Sequence, residues 1–145
     1  MKPTVTAAVL LAVGATALMP AAPTACADSH QSFQSPSANI DCGIGSSNGT
    51  TFAACEIRDY TWTPPLRPTP CMRGFGDRIS IQQGSAVKMS RHSDMLKGDG
   101  YPALAYGQLQ SLNSVSCRSE FSSMTCIDSS TGHYFLLARD SYELH

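Results

Sequence analysis

The chain has 145 residues, with ten Lys+Arg against eleven Asp+Glu, a net charge of −1. Such a balance excludes the basic surplus expected of a nucleic-acid or anionic-membrane binder. Only 14% of the residues are charged, while Ser, Thr, Gly and Asn are plentiful, which suits a turn-rich extracellular β domain better than a helical bundle.

The N-terminus has the layout of an export signal. Lys2 supplies a positive start, Val5 to Met19 form an apolar run, and Pro20 and Pro23 break any helix before Ala25-Cys26-Ala27. The run is short for a membrane span, so no stable span is expected after cleavage. Cys26 invites a lipoprotein reading, but Pro23 stands where a lipobox carries an aliphatic residue. Cleavage is therefore placed between Ala27 and Asp28, with 1–27 as signal peptide and 28–145 as one β domain. At about 118 residues this domain buries roughly two-thirds of its unfolded surface.

Ile40, Cys42 and Ile44 alternate with polar or small residues, as do Ala53, Cys55 and Ile57. Asn48-Gly49 between them favours the positive φ angles of a tight hairpin. Antiparallel pairing of Cys42 with Cys55 sets Ile40 against Ile57 and Ile44 against Ala53, with all six on one face. The segment 61–71 carries four prolines and predicts an extended surface path. Residues 78–81 and 86–89 are short strand candidates around a Gly84 turn, and 132–140 contains a buried strand. In 114–117 and 123–126, Val115 and Met124 stand two before Cys117 and Cys126 around a turn, although that register sets Asp128 opposite Val115. No segment has a sustained helical stripe. The expected architecture is all-β or mainly β: a small disulfide-stapled antiparallel sandwich or partly open barrel of six to eight strands.

Removing Cys26 with the leader leaves five cysteines. Export favours bridges, and the hairpins pair Cys42 with Cys55 and Cys117 with Cys126, each worth about 3 kcal/mol at most. Cys71 is left as the free-thiol candidate. The ordered segments FQSPSANIDC, ACEI, PTPC, LAYG, SCRS, TCIDSSTGHYF and ARD resemble small secreted cysteine-containing proteins of mycobacteria and related actinobacteria, a family of unknown function. That resemblance implies export and a cysteine-stapled domain. It also implies a sixth cysteine in relatives near the position held here by Arg91.

No motif specifies catalysis. Neither His-x3-His nor Cys-x2-Cys occurs, so no metal or cofactor is expected. His92 and Asp94 could form a base pair beside Ser90 or Ser93, but no Gly-x-Ser-x-Gly elbow accompanies them. The scattered carboxylates look like turn residues, and short loops leave little room for a cleft. The candidate binding surface is Tyr60, Trp62, Pro64, Pro65 and Arg67: aromatics, a stiff backbone and a cation. Its alternative is a core-packed Trp62 with prolines guarding a sheet edge. The chain thus reads as an exported, non-catalytic envelope or extracellular module for a protein or cell-wall glycan. A small secreted hydrolase, a hydrolase inhibitor and a purely structural envelope protein are the alternatives.

Overall fold

The structure is a computed structural model describing residues 28–67 and 74–145. The leader and Cys71 lie outside the described residues. Among the described residues ten strands form two antiparallel meanders. The first sheet holds β1 (Ser29–Gln34), β2 (Ile40–Ser47), β3 (Thr50–Ile57), β4 (Arg78–Gln82) and β5 (Lys88–Met89) in chain order. The second holds β6 (Leu109–Leu112), β7 (Val115–Ser119), β8 (Ser123–Asp128), β9 (Tyr134–Ala138) and β10 (Tyr142–Leu144), also in chain order. The all-β sandwich is as expected; the strand count exceeds six to eight because β1, β6 and β10 are edge strands with weak apolar alternation.

The central hairpin has the register read from the sequence. Ile40 faces Ile57, Cys42 faces Cys55 and Ile44 faces Ala53. Asn48 and Gly49 both take positive φ, 50° and 76°, the left-handed pair that a two-residue hairpin with the native twist requires. In the second hairpin Cys117 faces Cys126 and Val115 faces Asp128. Both pairs are disulfide-bonded, with Cα separations of 4.1 and 4.0 Å that match directly opposed, close-pair positions.

Each bridge lies between the second and third strands of its meander, on the face turned toward the other sheet. Cys55 Sγ and Cys126 Sγ are 3.7 Å apart, so the two disulfides touch at the centre of the sandwich. Ile44, Ile57, Ile79, Ile81, Val115, Met124, Phe135 and Leu137 complete this core, all at most 1% exposed. Each such side chain contributes roughly 1.5–3 kcal/mol by leaving water.

The two sheets are tied at their margins. At one, the Gln34 N–H donates to the Pro102 carbonyl and the Leu104 N–H to the Gln34 carbonyl, joining β1 to the strand-poor run before β6. The segment after β3 crosses to the second sheet, where the Thr61 N–H donates to the Arg139 carbonyl. Trp62 follows and donates its indole N–H to the Ala138 carbonyl at 2.9 Å.

Candidate functional site

Three places merit comparison: the aromatic-proline segment, the histidine and carboxylate cluster, and the loop-lined end of the sandwich. Tyr60 and Trp62 stack at 4.1 Å between ring centroids, and Trp62 also meets Tyr142 at 4.7 Å. Both are half-buried against the core, and Trp62 is anchored through its indole N–H. Pro64 is half-buried against Gly76, whereas Pro65, Leu66 and Arg67 lie exposed. The aromatic part of this segment therefore packs, and its tip is presented to solvent.

The cluster grows from a row of charges on the outer face of the first sheet. Asp41, Glu56 and Arg78 are cross-strand neighbours on β2, β3 and β4. Two adjacent carboxylates destabilise a sheet unless cations join them. Arg58 meets Asp41 at 2.6 Å, and Arg78 donates to Glu56 Oε2 from two nitrogens at 3.0 and 2.6 Å. The strap between β5 and β6 then folds over this row. From it, Lys97 reaches Asp77 Oδ2 at 2.9 Å and Glu56 Oε1 at 3.4 Å, while the Leu96 N–H donates to Glu56 Oε2. Asp41 and Glu56 are wholly buried as a result.

The charge states follow from these contacts. Burial pushes the Asp41 carboxyl up, more than the adjacent Arg58 guanidinium lowers it. Burial would also raise Asp77, but hydrogen bonds from His92 and Lys97 outweigh it and hold that carboxyl below its ordinary value. Lys97 is displaced upward: burial opposes its charge, but Asp77 and Glu56 more than compensate.

His92 belongs to this network. Its Nε2 lies 2.7 Å from Asp77 Oδ1 and its Nδ1 2.7 Å from the Asp94 carbonyl. Neither nitrogen hydrogen-bonds a hydroxyl in these contacts, and the His92–Asp94 pair weighed from the sequence is not a side-chain pair: Asp94 contributes its backbone to the ring and its carboxylate to Arg78 at 3.1 Å. Glu56, Asp77 and His92 bring ligand atoms within 4.8 Å of one another. Lys97 sits between the two carboxylates and supplies the positive charge that a metal ion would bring. The arrangement clamps a strap onto a sheet. His133, by contrast, precedes β9, and its carbonyl accepts from the Asp128 N–H.

The third place is a groove of about 610 Å³ at one end of the sandwich. It is built by the β1–β2 turn, Arg58 and Asp59 after β3, Tyr106 before β6, the β7–β8 turn and the β9–β10 turn. These loops gather because both sheets are meanders whose strand ends converge there; end loops are where sandwiches commonly carry recognition. Short loops still leave room for an open groove at this end.

Side chains on the β1–β2 turn are tightly held. The Asn39 side chain donates to the Asp59 carbonyl and accepts from the Asp59 N–H, at 3.0 and 2.9 Å. Arg58 Nε donates to the carbonyl of Ala38, whose φ of 57° is unusual for a residue with a Cβ. Across the groove stands an aromatic pair. Phe121 at the tip of the β7–β8 turn is 86% exposed, Tyr106 is 47% exposed, and their ring centroids are 5.5 Å apart. Phe121 meets Tyr106 but stands outside the core cluster, and exposed aromatics beside a concavity are a feature of interaction surfaces. Sequence reading passed over both, since Phe121 falls inside a turn and Tyr106 in an irregular run.

The site and fold together define a small, doubly disulfide-stapled β-sandwich with a loop-built groove at one end. Compared with protein-family models, with curated proteins and with solved structures, the chain finds no match.

Proposed function

We propose that this chain is an exported, non-catalytic binding module of the cell envelope or extracellular space. Its ligand docks in the groove at the Tyr106–Phe121 end of the sandwich. The observation that carries this reading is the pairing of a cavity of about 610 Å³ with an aromatic ring left 86% exposed at its rim. Two buried disulfides suit an oxidising compartment, and among the described residues no helix is long and apolar enough to cross a membrane. The leader-like N-terminus and the resemblance to small secreted actinobacterial proteins point the same way. A protein ligand is favoured over a cell-wall glycan, because the groove is lined by charges of both signs besides its aromatics.

The test is capture from envelope extract by wild type, Phe121→Ala, Tyr106→Ala and Trp62→Ala, with melting temperature measured alongside. Phe121→Ala should keep the wild-type melting temperature and lose the captured partner. Trp62→Ala should lower the melting temperature through its lost packing and hydrogen bond. Equal recovery by wild type and both groove variants would remove the groove from consideration.

A further inference from the structure

We infer that the groove receives a cationic side chain, a lysine or arginine of a partner protein, attracted by the carboxylates of Asp59, Glu120 and Asp140 that line it beside the Tyr106–Phe121 pair. This rests on the binding-module reading above and adds the chemistry of the ligand.

The charge distribution carries it. Five charged residues line the groove: Arg58, Arg139, Asp59, Glu120 and Asp140. Arg58 is already engaged, by buried Asp41 at 2.6 Å and by the carbonyls of Ala38 and Gly98 at 3.0 and 3.2 Å. Arg139 is then left against three carboxylates, an excess of two negative charges. None of those three forms an ion pair with another described residue. Glu120 accepts from the Ser123 hydroxyl at 3.0 Å, and Asp140 from the Ser141 hydroxyl at 3.5 Å.

A concave wall concentrates the field of such an excess and selects a positive ligand. The aromatic pair adds to the same preference, because ring faces attract cations and accept the alkyl stem behind them. A neutral glycan could stack on Phe121 but would leave the excess charge unanswered. An anionic polymer would be repelled.

The test follows the backbone amide and aromatic-ring NMR signals of the exported protein during titration with blocked pentapeptides. Their central residue is lysine, arginine, norleucine or glutamate, with chitotriose as a separate arm. The lysine and arginine peptides should shift Tyr106 and Phe121 signals and bind at least about fivefold tighter than the norleucine peptide. That gap should narrow at high salt and in Asp59→Asn/Asp140→Asn, with Glu120→Gln as an independent check on the same exposed rim. Equal binding of lysine and norleucine peptides, or tighter binding of chitotriose at these signals, would overturn the cationic ligand while leaving the groove as a site. If no probe moves these signals and Phe121→Ala captures as wild type does, the groove reading fails as well.

Discussion

Asp128 is the residue whose environment departs furthest from what its neighbours in sequence suggest. It is fully buried on β8, opposite Val115, where an apolar side chain would ordinarily stand. Burial alone would raise its carboxyl. The Gly84 N–H at 2.8 Å and the Ser130 N–H and hydroxyl at 3.0 and 2.7 Å donate to it instead, and hold it far below the carboxylate range. Gly84 lies in the β4–β5 turn, so this carboxylate also ties the two sheets together at the end opposite the groove. A group with a depressed folded pKa contributes stability that is full above its unfolded value of about 4 and is lost as pH falls. Asp77 and Asp94 act with the same sign, and Asp41, pushed upward, opposes them. The melting temperature should therefore fall steadily as pH drops below about 4. Asp128→Asn should cost roughly 3 kcal/mol at neutral pH and flatten that acid limb, because the donors then face a neutral amide. An unchanged acid slope in the variant would contradict this account. The sequence did place Asp128 opposite Val115, yet nothing local revealed that a turn 44 residues away supplies its donor.

Among the strands, the two cysteine hairpins are equivalent in position as well as in appearance. Each joins the second and third strands of a five-stranded meander, and the bridges close sequence separations of 13 and 9 residues. Either Cys→Ala pair, Cys42/Cys55 or Cys117/Cys126, should lower stability by about 2–4 kcal/mol in chemical denaturation. The pairing can be read by peptide mapping without reduction. Cys42 should be joined to Cys55 and Cys117 to Cys126, even though Cys55 Sγ and Cys126 Sγ approach to 3.7 Å. A Cys55–Cys126 peptide would mean that the sheets are stapled to each other rather than internally. This register was legible because period-two alternation, a tight turn and paired sulfurs all require one alignment. The same alignment carried a second message. It set Asp41 beside Glu56, two like charges in adjacent strands, and so called for the cations that Arg58, Arg78 and Lys97 provide. The donors come from β4, the stretch after β3 and the strap after β5, and their arrival depends on how the chain folds back.

As a whole, the molecule is two similar meanders packed face to face, sealed on one side by a strap and open at one end in a groove. If the N-terminal segment is a cleaved leader, intact mass of the mature chain should place its first residue at Asp28, with two bridges and one further thiol, Cys71. A lipidated Cys26 would overturn that assignment.

What the sequence by itself determined is whatever period-two patterning and local turn chemistry dictate: an all-β chain, the central hairpin and its register, and both disulfides. The tertiary structure alone decided which outward-facing residues became buried and which loops came together. A strap from 92–98 folds over Glu56, while Tyr106, Phe121, Asp59 and Asp140 line one groove although up to 81 positions separate them in the chain. The physical reason is that backbone pairing and side-chain alternation act over a few residues. The groove is made by the convergence of strand ends, which depends on how one whole sheet packs against the other.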